Sequence, residues 1–216
     1  MNLSRVLSLV TRILIFTAAS STVAMFVIAT VYPFYVEPIS FEPLDFYRAG
    51  SREVSLEELV ATVEARNMTL YLPSKLPRGL ELTAIYLKDA PFIAILVYSA
   101  GGDRDYKTAE LTIEIAPSSY PPSSLDQLKS WIGEDEEALE VNGWLARVTR
   151  NAYIHDRAFT WKYGTDRVAL VEAWVDGFNY LIRSPTLTVD ELIQLIRGMK
   201  PSENCINFST FFNIYA

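Results

Sequence analysis

The chain has 216 residues, half of them hydrophobic and 21% charged, and a formal net charge of -7. This composition predicts a chain that folds, and its single cysteine, Cys205, excludes an intramolecular disulfide. All 26 acidic residues lie at or after Glu37, whereas Arg5 and Arg12 precede it. Without clustered cations, the acidic part is not expected to bind nucleic acid or to dock electrostatically on anionic lipid.

The first predicted element is a transmembrane helix within residues 1–36. Residues 13–32 contain no charge, and 20 residues of helix span about 30 Å, the thickness of the bilayer hydrocarbon. Tyr32 and Tyr35 stand where interfacial aromatics are expected, and Pro33 ends the helix. Because positive flanks stay in the cytoplasm, we expect a signal anchor in the cell membrane, with a cytoplasmic N-terminus and an extracytoplasmic domain.

Two alternatives to the anchor remain open. Ala19 and Ser21 are spaced as in a signal-peptidase site, which predicts a mature chain that begins near residue 22. The apolar run continues 11 residues past Ser21 and so favours an anchor over a cleaved signal. The other alternative is a helix in the core of a soluble domain, although such helices are rarely apolar on all sides over this length.

The middle of this segment carries small residues at a spacing of four. Ala18 and Thr22 form one pair, and Ser20 and Ala24 form the other. Small residues at this spacing allow close packing against a second membrane helix. The other interpretation is that Ser and Thr are simply tolerated, because their hydroxyls bond to carbonyls of their own helix.

The remaining chain divides into three parts. Residues 37–54 contain regularly spaced prolines and aromatics, which predict an extended stalk. Residues 55–201 are expected to form the extracytoplasmic domain. Residues 202–216 are an apolar tail, which could add an edge strand, touch the membrane or pair with another chain.

The first half of the domain has clear local signals. Ser55 and Glu58 form a capping-box pattern that predicts a helix over residues 55–66. Strands are expected over 80–87, 92–98 and 109–115. In the last of these, one face carries Leu111, Ile113 and Ile115 and the other carries Glu110, Thr112 and Glu114. A short helix then starts at Ser123 or Ser124 and runs through Trp131.

Two hairpins are predicted by turn pairs of the preferred type I′, Asn142-Gly143 and Asp176-Gly177. A two-residue loop at the second turn places six apolar side chains on one face, Val171, Ala173, Val175, Phe178, Tyr180 and Ile182. The same treatment of the first turn places five on one face, Leu139, Val141, Trp144, Ala146 and Val148. A one-residue slip would mix the faces, so the pattern fixes the register.

A further strand is expected over residues 157–163, and a second capping box at Thr188 and Glu191 opens a helix that ends near Met199. The whole predicts an α+β fold. It consists of an antiparallel curved sheet of about 7–8 strands, with two or three helices packed on one face and one preceding transmembrane helix.

Four stretches occur in the order "LYLPSKLPRGLEL", "ILVYSAGGDRDYKTAELTIEIAP", "LEVNGWLARV" and "FTWKYGTDRVALVEAWVDGFNYLIRSPTLTVDELIQLIRGM". Together they resemble a family of uncharacterised single-pass extracytoplasmic domains of bacteria and archaea, some attached to anti-sigma-type regulators. The matching positions are Pro73, Leu76, Pro77, Gly79, Val141, Gly143, Trp161 and Tyr180. The resemblance implies an extracytoplasmic fold, distantly similar to lipoprotein carriers that hold lipid tails, and it implies no catalytic residues.

The sequence offers no catalytic or metal site and no cofactor. His155 is the only histidine and is expected in a loop. Asp103 and Asp105 begin like a calcium loop, but Lys107 and Thr108 occupy positions that need an oxygen ligand and glycine, so a hairpin loop is expected. Residues 134–137 are expected to form a solvated acidic turn, with weak calcium binding as the alternative.

One candidate contact surface is the second face of the last hairpin, where Glu172, Trp174 and Arg183 combine an aromatic with charges. The alternative is that a helix or the stalk covers this face. Asn67 and Asn207 begin N-glycosylation sequons, which also occur by chance.

These features predict a non-catalytic, membrane-anchored binding or sensing domain for a partner protein or an apolar ligand. The alternative is an accessory subunit whose membrane helix packs, through its small-residue face, in a larger complex. The expected partners are the lipid bilayer and a membrane protein or apolar ligand.

Overall fold

A computed structural model describes residues 50–154 and 156–202 of the protein. Several expectations lie outside these residues: the transmembrane helix with Ala18, Ser20, Thr22 and Ala24, most of the stalk, His155, the sequon at Asn207, and nearly all of the tail with Cys205. Among the described residues, no helix has the length and apolar character needed to cross a bilayer.

The fold is built on one antiparallel sheet of eight strands, in the order β1-β3-β4-β5-β9-β8-β7-β6. A separate two-stranded ribbon pairs β2 with β10. The strands are β1 (Arg52–Glu53), β2 (Tyr71–Pro73), β3 (Glu81–Asp89), β4 (Phe92–Ser99), β5 (Leu111–Pro117), β6 (Glu136–Val141), β7 (Trp144–Tyr153), β8 (Arg167–Val175), β9 (Phe178–Ser184) and β10 (Met199–Pro201). The predicted α+β class and the antiparallel sheet are confirmed.

Four α-helices accompany the sheet within the described residues. They are α1 (Leu56–Glu64), α2 (Leu125–Trp131), α3 (Arg157–Tyr163) and α4 (Val189–Arg197), and a short 3-10 turn covers Pro77–Gly79. The capping box at Thr188 and Glu191 forms in full. At α1 only half of the predicted box forms: Ser55 accepts a bond from the Glu58 N–H, while the Glu58 carboxylate pairs with Arg52.

The main core lies on the inner face of the sheet, defined as the face that carries Leu111, Ile113 and Ile115. Helices α1 and α4 bury their apolar sides against it, through Leu59 and Val63 of α1 and through Leu192, Leu195 and Ile196 of α4. Burial of these side chains is the main source of stability, at about 25 cal/mol per Å² of apolar surface.

Both hairpins have the predicted register. Val175 pairs with Phe178, Ala173 with Tyr180 and Val171 with Ile182. Across the other turn, Val141 pairs with Trp144 and Leu139 with Ala146. Asn142, Gly143, Asp176 and Gly177 all have positive φ, as a type I′ turn requires.

The outer face of the sheet is covered in part by two segments. The predictions of a strand over residues 157–163 and of helices on one face only were wrong. Residues 157–163 form helix α3 rather than a strand, and α3 buries Phe159 against Val168 of β8 on the outer face. The loop over residues 100–110 lies on the same face and places Tyr106 and Ala109 against β4. Helices therefore pack on both faces, and four strands, not five, lie between α2 and α4.

The sheet includes two residues that precede helix α1. Arg52 and Glu53, which the sequence placed in the stalk, pair with Leu87 and Tyr86 of β3. Val54 continues the contact by donating its N–H to the Ile85 carbonyl at 3.0 Å.

Candidate contact surface and the cleft at the end of the sheet

Glu172 lies on the outer face of β8, as predicted, but its carboxylate is already engaged. One oxygen pairs with Arg147 of β7 and the other accepts a hydrogen bond from the Asn179 side chain. The Glu172 side chain is only 14% exposed. Because both carboxylate oxygens already have partners within the sheet, Glu172 stabilises the fold and has little capacity left to bind a partner protein.

The structure does not bring the predicted trio into one site. Trp174 follows Glu172 on the same face and is half-buried between Leu145 and Asn179. The Arg183 side chain extends towards β5, away from Glu172 and Trp174. Its Nε donates to the Thr112 hydroxyl at 2.9 Å and its Nη2 donates to the Tyr106 carbonyl at 2.8 Å. Arg183 therefore holds the 100–110 loop to the sheet.

Glu114 on β5 is a residue whose burial sequence reasoning missed. Alternation placed it on the face opposite Leu111, Ile113 and Ile115; it is 8% exposed, and its Oε2 has no hydrogen-bond partner among the described residues. Burial raises the pKa of Glu114 to about 7, and the positive charge of Arg183 offsets this only in part. Thr112 is likewise buried, at 3% exposure.

A cleft of about 640 Å³ opens at one end of the sheet, over β6, β7 and β8. It arises because β6 begins at Glu136, opposite Thr149, whereas β7 continues to Tyr153. The register of β7 against β8 shifts between Thr149 and Ala152 at the same place. We call it the sheet-end cleft; its lining is Glu134, Asp135, Glu136, Glu137, Val148, Thr149, Arg150, Asn151 and Arg167.

In the sheet-end cleft both arginines have acidic partners, whereas two of the acidic residues have no basic partner among the described residues. Arg150 pairs with Glu137 at 3.4 Å and lies 3.9 Å from Asp190. Arg167 pairs with Asp166 at 3.5 Å. Glu134 and Asp135 are exposed and make no ion pair with any described residue.

Exposed aromatics gather at this end of the sheet. Trp131, 45% exposed, ends α2 three residues before Glu134. Tyr153, 48% exposed, ends β7 and has the Arg167 guanidinium 5.0 Å from its ring centre. Trp161, 91% exposed, projects from α3, which follows β7.

The sequence does contain a signal for α3. Asp156 caps the helix by accepting the Phe159 N–H at 3.0 Å, and Gly164 ends it with a φ of 67°. Asp before and Gly after a short segment is a helix signature. The prediction of a strand over residues 157–163 gave more weight to the Phe, Thr, Trp and Tyr in the segment, because these residue types favour strands.

The loop with Asp103 and Asp105 uses its carboxylates internally. Asp103 accepts bonds from the Asp105 N–H at 2.9 Å, the Thr108 hydroxyl at 2.8 Å and Lys162 Nζ at 2.6 Å. Burial works to raise the pKa of Asp103, but the bond from Lys162 and the other donors outweigh it, and the pKa is lowered. Over residues 50–154 and 156–202, no group of three His, Cys, Asp or Glu is placed to hold a metal ion.

Two of the other predicted features have clear positions. Asn67 is exposed just after α1, with a φ of 54°. The inner core is closed near Phe92, Ile115 and Tyr180, where the packed side chains leave no room for a water molecule.

The chain joins the sheet at the end opposite the cleft. Arg52 of β1 pairs with Leu87, near the turn between β3 and β4. In this antiparallel sheet the β6–β7 and β8–β9 turns lie at that same end, while the cleft lies where β6 begins and β7 ends.

No protein-family model matches the chain, and neither a curated protein nor a solved structure shows significant similarity to it. The resemblance to extracytoplasmic domains stays a prediction from the residues that carry it.

Proposed function

We propose that the protein is a membrane-anchored extracytoplasmic domain that binds a partner protein and catalyses no reaction. The observation that carries this proposal is the uncharged stretch over residues 13–32, with Arg5 and Arg12 before it and all 26 acidic residues after it. A segment of this length and flanking charge inserts with its basic side in the cytoplasm.

Two observations favour a protein partner over an apolar ligand. The inner core leaves no space beside Phe92 and Tyr180, so a lipid tail would have to displace packed side chains there. Large exposed aromatics, Trp161 above all, are the side chains that most often anchor protein contacts.

Membrane fractionation of the full chain, expressed with a C-terminal tag in a bacterial host, tests the anchor and its orientation. We expect the intact chain to float with lipid, to resist carbonate extraction, and to lose its tag to protease added outside spheroplasts. Substitution of Ile15 and Val27 by Lys places charge inside the segment and should abolish flotation. A mature chain that begins near residue 22, or a tag protected from protease, would contradict the proposal.

The spacing of Ala18, Ser20, Thr22 and Ala24 supports a second candidate, an accessory subunit of a membrane complex. Substitution of Ala18 and Thr22 by Leu should release a fixed partner from detergent extracts. The matched Leu substitutions at Ala19 and Thr30, which lie on a helix about a quarter turn away from the side of Ala18 and Thr22, should not. Co-purification that is indifferent to both pairs would count against this candidate.

A further inference from the structure

We propose that the sheet-end cleft binds an extended basic segment of a partner protein. This inference rests on the proposed binding function and adds to it the site and the chemistry of the partner.

The shape of the cleft suits an extended chain. Strand β6 begins only opposite Thr149, whereas β7 continues to Tyr153. The cleft therefore lies beside the last residues of β7, where an adjacent strand would pair. Neighbouring strands in a sheet are about 4.8 Å apart, and an opening of about 640 Å³ accommodates a few residues at that spacing.

The charge of the cleft selects a cationic segment. Glu134 and Asp135 are exposed and lack ion-pair partners among the described residues, whereas Arg150 and Arg167 each face an acidic side chain. The uncompensated charge is therefore negative. Lysine or arginine side chains of a partner would complete these pairs, and complementary charge accelerates association and fixes register.

The rim adds apolar contact area beside these charges. Trp131 precedes the lining residue Glu134 by three positions, and the Tyr153 ring lies 5.0 Å from the guanidinium of the lining residue Arg167; both aromatics are nearly half exposed. Aromatic side chains at a rim bury large areas against the aliphatic stems of lysine and arginine. The cleft also lies at the end of the sheet away from the point where Arg52 pairs with Leu87.

Binding of a labelled octapeptide that alternates lysine and valine to the full chain in nanodiscs of neutral lipid tests the inference. Fluorescence anisotropy at about 0.15 M salt is the readout. We expect E134Q/D135N to bind about fivefold more weakly or worse, and E64Q/E81Q, which removes the same charge from exposed sites elsewhere, to bind like the wild type. Substitution of Tyr153 by Ala should weaken binding further.

Equal loss in the two double variants would mean that only net charge attracts the peptide, and would overturn the inference. Equal binding of a peptide that alternates glutamate and valine, or displacement of the basic peptide by micromolar calcium, would do the same. A circular dichroism spectrum of each variant shows that its fold is intact. Flotation of the chain with lipid but no selective peptide binding would reject the cleft and keep the anchor; the opposite result would reject the anchor alone.

Discussion

The hydroxyl oxygen of Tyr180, in the centre of the sheet, accepts a hydrogen bond from the backbone N–H of Tyr71 at 3.0 Å. Tyr71 begins the ribbon strand β2, and its own hydroxyl donates to Asp176 at 2.8 Å. The Trp144 ring lies between the two tyrosines, 5.1 Å from the Tyr71 ring and 5.4 Å from the Tyr180 ring. One buried hydroxyl therefore joins the ribbon to the main sheet.

Substitution of Tyr180 by Phe should lower the free energy of unfolding by about 1–3 kcal/mol. It removes the acceptor and leaves the Tyr71 N–H without its partner in a part-buried site. Urea unfolding of the full chain in detergent measures the change. Tyr120→Phe is the control, because Tyr120 is 86% exposed, and it should change stability by less than about 0.5 kcal/mol. Equal stability of the two variants would contradict this role.

Substitution of Glu114 by Gln should weaken the dependence of stability on pH. The pKa of Glu114 is about 7 in the folded chain and near 4.5 when unfolded, so the stabilising effect of its proton is complete below pH 4.5 and is lost as pH rises through 7. The difference corresponds to about 3 kcal/mol. Gln stays neutral, so the variant should lose less stability between pH 5 and pH 8 than the wild type.

Thermal unfolding at intervals of half a pH unit measures this slope. Glu64→Gln serves as the control because Glu64 is exposed on α1, and it should keep the wild-type slope. If Glu114→Gln also kept that slope, Glu114 would not be the group responsible.

Substitution of Gly177 by Ala should destabilise the hairpin of β8 and β9 by about 1 kcal/mol or more. Gly177 has a φ of 79°, where a β-carbon is strained although no atom lies within 4 Å of it. Gly133→Ala is the matched control, since Gly133 is equally open and lacks a positive φ. Urea midpoints compare the two. A larger loss at Gly133 would refute the conformational argument.

Substitution of Asp103 by Asn should loosen the 100–110 loop and cost about 1 kcal/mol. It removes the charge that faces Lys162 Nζ at 2.6 Å, and the Asp103 side chain is 24% exposed, so solvent screens part of the effect. Because the pKa of Asp103 is lowered, its contribution is present at neutral pH and is lost as pH falls through the folded value.

Hydrogen exchange reports this loosening directly. Amides of residues 103–108 and of α3 should exchange faster in Asp103→Asn, while those of β4 keep their protection. Asp126→Asn, at a site 95% exposed, should change neither region. Faster exchange throughout the domain would indicate a global effect instead.

The hairpins were predictable because two independent local signals agree. The turn pair fixes the loop length, and the alternation of apolar residues fixes the register, so Val171 and Ile182 could be paired from sequence alone. Helix α4 was predictable for a similar reason, since Thr188 and Glu191 mark its start and the apolar spacing marks its face.

The burial of Glu114 was not predictable, because alternation says which face a side chain occupies and not what covers that face. The 100–110 loop packs on this face through Tyr106 and Ala109, and it is held there by Arg183, 77 residues from the Tyr106 carbonyl that it bonds. The cleft was equally hidden. It depends on the difference in length between β6 and β7, and strand ends are weakly encoded in sequence.

Strand β1 has only two residues, yet among the described residues it is the first to pair in the sheet. A tension applied along the polypeptide from its N-terminal side would reach this strand first. Two rungs of backbone pairing, reinforced by contacts of Arg52 with Glu58 and of Glu53 with Arg104, would then bear the load. Strand β1 would then separate from β3 before the other seven strands were strained. The pulled domain would lengthen by a few residues without losing its core.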